Sequence, residues 1–137
     1  MNEPPLDPVP ASEIGAVLAR KLAGVQCAFL FGSSETRSFS EESDVDVAVL
    51  LPTPLDLSER LALRASLEMT LGRDVDLVDL RGADAILAFQ VLSLGRPIVM
   101  RDRKAYDAFV ARTLSEYADL KLDRRPVEAA LRREVAP

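Results

Sequence analysis

The sequence predicts a small α/β (α+β) domain in which helices pack on a small mixed β-sheet. Short apolar runs of strand length alternate with longer amphipathic segments, and glycine or proline stands at most of the junctions. The chain has 137 residues, of which 48% are hydrophobic, and this is enough for one domain with a substantial core. We expect the folded domain to span residues 11–122, between an N-terminal arm (1–10) and a C-terminal tail (123–137).

The first half of the chain predicts one helix and two strands. Four prolines within residues 1–10 indicate a flexible arm. Apolar residues at helical spacing follow in 11–23, and Gly24 ends that helix. Residues 25–31 are apolar on both faces, and residues 44–51 are nearly all apolar after their two carboxylates, which is typical of strands that helices cover on both sides.

The second half alternates helices with strands. The predicted elements are a helix (57–71), a strand (74–80), a helix (83–94), a short edge strand (98–100) and the longest helix (103–121). In the first of these helices, Leu61, Ala65 and Leu67 are candidates for the buried side. The tail carries four arginines and is available to bind a partner.

The composition excludes several kinds of chemistry. Histidine is absent, which removes Ser-His-Asp and Cys-His triads and every histidine-liganded zinc site. Any metal must therefore be held by carboxylates, hydroxyls, carbonyls and water, a donor set that suits Mg²⁺ or Mn²⁺. The net charge of −5 argues against direct binding to nucleic acid, which needs a basic surface.

The single cysteine and the hydropathy pattern predict the compartment. Cys27 cannot form an internal disulfide, and it lies among alternating apolar residues as a buried side chain would. No apolar run approaches the roughly 20 residues of a membrane span, and no signal peptide is recognisable. We expect a cytoplasmic protein.

The most informative stretch joins the first two predicted strands. Gly32-Ser33 follows the first strand, ten residues intervene, and Asp44-Val45-Asp46 opens the second. Alternation along a strand points Asp44 and Asp46 to the same face, where they can share a divalent cation. Glycine lets the backbone approach a phosphate, and the serine adds a hydroxyl and an N–H. Together these features predict metal-assisted phosphoryl chemistry.

The next strand offers a third carboxylate. Its candidates are Asp74 and Asp76 on one face and Asp79 on the other. Asp76 is preferred because it lies in mid-strand between Val75 and Leu77, where a charge is costly unless it has a function. We expect Asp44 and Asp46 to bind the metal, and Asp76 to bind it too and to position or deprotonate the attacking hydroxyl.

This pattern resembles the nucleotidyltransferases of the DNA polymerase beta superfamily. Gly32-Ser33, the ten-residue interval, Asp44-Val45-Asp46 and the later Asp76 have the order and spacing of the family's signature. The resemblance covers nearly the whole chain and implies a polymerase-beta-like nucleotidyltransferase core that uses ATP. More narrowly, the chain resembles the minimal nucleotidyltransferases, which lack a separate substrate domain.

One loop departs from the pattern of these relatives. They often place two arginines after Gly-Ser, where this chain has Ser34 and Thr36, and a glycine where it has Arg37. The residues expected to bind the nucleotide phosphates are therefore Gly32, Ser33, Ser34 and Arg37.

The resemblance also implies a partner. Minimal nucleotidyltransferases are typically encoded beside a helical HEPN partner. In toxin–antitoxin pairs of this kind the HEPN protein is an RNase toxin, and the minimal nucleotidyltransferase is the antitoxin. The implied reaction is transfer of AMP from ATP to a tyrosine of that toxin. Two alternatives remain: an antitoxin that occludes its partner without catalysis, and a nucleotidyltransferase for a small hydroxyl-bearing substrate such as an antibiotic.

Overall fold

The fold is a mixed four-stranded sheet covered by helices on both faces. The computed structural model describes residues 11–32 and 44–135, with side chains up to residue 121. The predicted arm, residues 1–10, lies outside them. In chain order the elements are α1 (Ala11–Lys21), β1 (Cys27–Phe31), β2 (Val45–Leu50), α2 (Leu57–Leu71), β3 (Val75–Asp79), α3 (Ala85–Leu94), β4 (Arg96–Met100) and α4 (Arg103–Val135).

The strand order of the described sheet is β3-β2-β1-β4. β1 is antiparallel to both of its neighbours, whereas β2 and β3 are parallel. The prediction that the fourth strand lies at a sheet edge is therefore confirmed. The end of β1 and the beginnings of β2 and β3 meet at one end of the sheet, so Gly32 and the Asp-x-Asp motif converge there.

Each face of the sheet has its own hydrophobic core. On one face, Val45, Val47 and Val49 pack with α1 and α2, through residues such as Leu18 and Leu67. On the other face, alternate strand residues such as Phe29, Ala48 and Leu50 pack with α3 and α4. The helices contribute residues such as Val91 and Phe109 to this core, and Leu80 joins it from just after β3. The apolar composition of the predicted strands thus corresponds to burial on both faces.

α2 turns a different side to the core than the sequence predicts. Its buried residues are Leu63 and Leu67, while Leu61 and Ala65 are exposed, so the prediction holds for Leu67 and is wrong for the other two. Residues two positions apart in a helix are separated by about 200° around its axis, so Leu61 points away from the side that Leu63 buries. Leu61 adds to an apolar surface on the outside of the domain.

α4 is longer than the sequence predicts. The expected end near residue 121 is wrong, because the helix continues to Val135. Pro126 indicates a break, since it lacks the N–H for the helical hydrogen bond. The residues around it are mostly good helix formers, and the backbone stays helical through the proline. No helix of the described part of the chain is both long and apolar enough to cross a membrane.

Candidate functional site

Gly32 and Asp46 form the centre of the candidate site. Gly32 follows β1 directly and has a φ of +66°, a left-handed conformation that side chains disfavour. A Cβ atom at this position would collide with the carboxylate of Asp46. Glycine is therefore required twice here, by the backbone conformation and by the carboxylate packed against it. The sequence predicts a close approach at Gly32 but does not reveal that Asp46 is the neighbour.

Asp76 lies beside Asp46 on the adjacent strand. The two residues are register partners in the parallel β2–β3 pair, so their backbones are about 4.8 Å apart. Partner residues point to the same face, and this is the face that Ala48 and Leu50 share with α3 and α4. Asp46 is half-buried and Asp76 is exposed at the sheet end. The two carboxylates can therefore meet a ligand from solvent.

Two more aspartates border this pair. Asp44 is exposed immediately before β2, two residues from Asp46, and Asp74 is exposed immediately before β3. The amide of Val45 donates to the carbonyl oxygen of Asp74 at 2.9 Å, which joins the two strand starts. The structure thus brings Asp44, Asp46 and Asp76 to one end of the sheet, with Asp46 and Asp76 on the same face. Ser33, Ser34 and Arg37 lie outside the described residues.

Asp79 stabilises the fold and lies away from the candidate site. It is buried at the opposite end of β3, and its carboxylate accepts hydrogen bonds from the amides of Leu55 at 2.7 Å and Arg81 at 3.1 Å. These bonds hold the loop after β2 against the end of β3. The prediction that Asp79 faces away from Asp76 is confirmed by the alternating burial along β3.

The donor chemistry fits a hard divalent cation. Carboxylate oxygens are the protein ligands that Mg²⁺ prefers, and this ion commonly takes only one or two of them, with water and substrate phosphates completing its shell. Among the side chains that the structure describes, no three Asp, Glu, His or Cys residues already form a metal-binding cluster. The carboxylates of Asp44, Asp46 and Asp76 are of the ligand type that Mg²⁺ prefers.

Comparison with known proteins identifies the class. The family "Polymerase beta, Nucleotidyltransferase" matches residues 13–104, which contain both strands of the Asp46–Asp76 pair. The chain belongs to this nucleotidyltransferase family.

Within the family, the chain is similar to toxin–antitoxin proteins. It is 33% identical, over 85% of its length and 83% of the relative's, to the protein adenylyltransferase MntA of Shewanella oneidensis. A solved toxin–antitoxin structure with AMP-PNP superimposes with a TM-score of 0.80 at 31% identity, covering 90% of this chain and 98% of that one. A tri-AMPylated Shewanella oneidensis HEPN toxin in complex with its MNT antitoxin matches with a TM-score of 0.74 at 31% identity, covering 88% and 94%.

Proposed function

We propose that this chain is an antitoxin that transfers AMP from ATP to a tyrosine hydroxyl of a cognate HEPN-type toxin. The observation that carries the proposal is the register pairing of Asp46 with Asp76 beside Gly32. This arrangement places carboxylates that can hold a metal ion directly beside a backbone turn that carries no side chain of its own. The similarity to a protein adenylyltransferase and to an AMPylated toxin complex supports the choice of acceptor.

Each residue of the site has a role in this proposal. Gly32, together with Ser33, Ser34 and Arg37, holds the phosphates of ATP. Asp44 and Asp46 would hold Mg²⁺ (or Mn²⁺), which would neutralise phosphate charge and lower the pKa of a coordinated hydroxyl. Asp76 would also help to hold this ion, and it positions or deprotonates the tyrosine hydroxyl as that oxygen attacks the α-phosphorus. The bond to the β-phosphate breaks and pyrophosphate leaves.

The proposed reaction takes place in the cytoplasm. Cys27 is a free, fully buried thiol, and burial raises its pKa to about 11. It is neutral at physiological pH and has no role in the proposed chemistry.

The direct test uses the product of the gene adjacent to the one that encodes this chain. The two purified proteins are incubated with Mg²⁺ and ATP, and the partner is analysed by mass spectrometry for the addition of AMP to a tyrosine. An unmodified partner, with toxicity still suppressed by Asp44→Ala/Asp46→Ala, would instead support an antitoxin that acts by binding. Labelling of an aminoglycoside instead of the partner would support a small-molecule nucleotidyltransferase.

A second test separates the candidate third acids on β3. Asp76→Asn removes one charge at an exposed position and is expected to lower AMP transfer by about 100-fold or more, because general-base and metal-binding roles are each worth that much. Asp74→Asn is the matched control, since Asp74 is also exposed but is not the register partner of Asp46. Transfer that falls equally in both variants would contradict the assignment of Asp76.

Metal binding has a readout that does not depend on activity. Mg²⁺ with a non-hydrolysable ATP analogue should raise the melting temperature of the wild-type chain, because a ligand that binds only the folded state stabilises it. The added stabilisation by Mg²⁺ should disappear in Asp44→Asn/Asp46→Asn. Equal stabilisation of the variant would refute a role for these carboxylates in holding the ion.

A further inference from the structure

One side of α4 packs on the sheet and then continues past it. Phe109 is 6% exposed and Thr113 is 3% exposed, whereas Leu120 is 36% exposed. Thr113 follows Phe109 by four residues, and Leu120 follows Thr113 by seven, so all three lie on the same side of the helix. The helix therefore loses the cover of the sheet between Thr113 and Leu120, while its sheet-facing side stays apolar.

The direction of α3 helps to identify the end of the sheet that α4 passes. α3 starts shortly after Leu80, whose amide donates to the carbonyl of Val49 at the end of β2 remote from Asp46. It ends at Gly95, where an added Cβ would lie 3.3 Å from the carbonyl oxygen of Leu30, two residues before Gly32. α3 thus runs from the remote end of the sheet to the end that carries the aspartates.

α4 runs in the same direction as α3. Phe109 lies under the guanidinium of Arg81, just before α3, with 5.4 Å between the Cζ atom and the ring centroid. Two turns later, Tyr117 stacks on Phe89 in the middle of α3, with 4.1 Å between centroids and 5° between planes. Residues 123–135 of α4 follow, about 20 Å of helix at 1.5 Å per residue. α4 therefore projects beyond the sheet at the end where Asp46 and Asp76 lie.

The part of α4 that leads into this projection carries an apolar surface with a basic border. Leu114 is 49% exposed, Tyr117 and Leu120 lie next to it along the helix, and the Lys121 ammonium lies 5.7 Å from the Tyr117 ring centroid. We call these four residues the α4 surface. Beyond them the sequence has Arg124, Arg125, Arg132 and Arg133 against three acidic residues, although the whole chain has a net charge of −5.

We propose that the α4 surface docks the protein that supplies the acceptor hydroxyl, a helical partner whose contact face is apolar with an acidic border. The proposal rests on the function proposed above. A partner bound to α4 lies on the same face and at the same end of the sheet as Asp46 and Asp76, so it can present a side chain to them. A second copy of this chain is disfavoured as the occupant, because two basic helix ends repel each other.

A second exposed apolar surface serves as an internal control. Leu57 and Leu61 are 71% and 53% exposed on α2. α2 packs on the opposite face of the sheet from the aspartates, through residues such as Leu67. A protein docked on α2 is therefore separated from Asp46 by the sheet.

The test compares matched charge insertions on the two surfaces. Leu114→Glu/Leu120→Glu alters the α4 surface and Leu57→Glu/Leu61→Glu alters α2; all four side chains are already exposed. Binding of the adjacent gene's product is measured by calorimetry, and AMP transfer is measured against partner concentration. The α4 pair should weaken binding about 30-fold or more and raise the KM for the partner by a similar factor, with kcat changed less than about twofold. The α2 pair should leave the Kd and the KM within about twofold of the wild-type values.

Lys121→Glu provides a variant that cannot disturb the core. It should weaken binding about fivefold to tenfold and reduce the dependence of the Kd on salt. Wild-type affinity in both α4 variants, or equal losses in the α2 pair, would overturn the proposal. So would the absence of a complex with the wild-type chain, or a homodimer that the α4 variants dissociate. A complex that forms without AMP transfer would refute the proposed activity, yet the affinities of the variants would still decide the docking site.

Discussion

Replacing Gly32 with alanine tests the central contact of the candidate site. Gly32 has a φ of +66°, and its Cβ position is taken by the Asp46 carboxylate. Gly72, which ends α2, is a matched control because it has a φ of +65° and no heavy atom within 4 Å of its Cβ position. The two substitutions therefore impose the same backbone penalty, and only Gly32→Ala displaces a carboxylate.

The two substitutions should have similar effects on stability but different effects on the rate of AMP transfer. An alanine in the left-handed region costs about 1–2 kcal/mol, so both variants should lose this much free energy of unfolding. For a domain of this size, that is a fall of roughly 4–8 °C in melting temperature. In Gly32→Ala the Asp46 carboxylate must also move, and a misplacement of about 1 Å at a reacting centre can cost about 100-fold in rate. AMP transfer should thus fall about 100-fold in Gly32→Ala and less than about threefold in Gly72→Ala.

Two measurements on each variant decide the outcome. Chemical denaturation gives the free energy of unfolding, and single-turnover AMP transfer at saturating ATP and partner gives the rate of the chemical step. Similar stability losses with a large rate loss in Gly32→Ala alone are expected. If Gly32→Ala transfers AMP as fast as Gly72→Ala, the position of the Asp46 carboxylate against Gly32 has no part in the reaction, and the reasoning is refuted.

Three further predictions concern stability and reactivity. The Cys27 thiol should not react with a thiol reagent at pH 8 until the chain unfolds. The pKa of this thiol is about 11 in the folded state and 9.0 ordinarily, so the unfolded chain loses the proton first. The free energy of unfolding should therefore fall as the pH rises from 9 to 11, and it should fall less in Cys27→Ala. Asp79→Asn should lower the free energy of unfolding by about 1–3 kcal/mol, because one of two amides loses its acceptor, while AMP transfer at saturation changes less than about twofold. Gly95→Ala should cost about 1–3 kcal/mol in a denaturant titration, because its Cβ would press on two backbone carbonyl oxygens; an unchanged midpoint would contradict this packing.

The sequence predicts the sheet well because its strands have strong local signals. The apolar runs before Gly32 and after Asp46 are buried on both faces as expected, and alternation correctly separates Asp76 from Asp79. The pairing of Asp46 with Asp76 needs tertiary structure, because nothing local fixes the register of two strands that a helix separates.

The buried side of α2 and the end of α4 could not be predicted, because both depend on interactions beyond the local sequence. Leu61 and Leu67 are equally apolar, so composition does not show which one faces the sheet. Pro126 is a local signal for a helix end, and favourable residues on both sides override it. In both cases the outcome depends on the balance of interactions along the whole element.

The same alternation that folds β2 also places its carboxylates. Val45, Val47 and Val49 enter the core beneath α1 and α2, whereas Asp46 shares the other face with Ala48 and Leu50. A one-residue slip would drive Asp46 into the valine core without a partner, at a cost of several kcal/mol, and would turn the valines to the wrong face. Because β2 pairs with β1 on one side and β3 on the other, both registers resist this slip. A correctly folded sheet therefore always presents Asp46 beside Gly32 and Asp76.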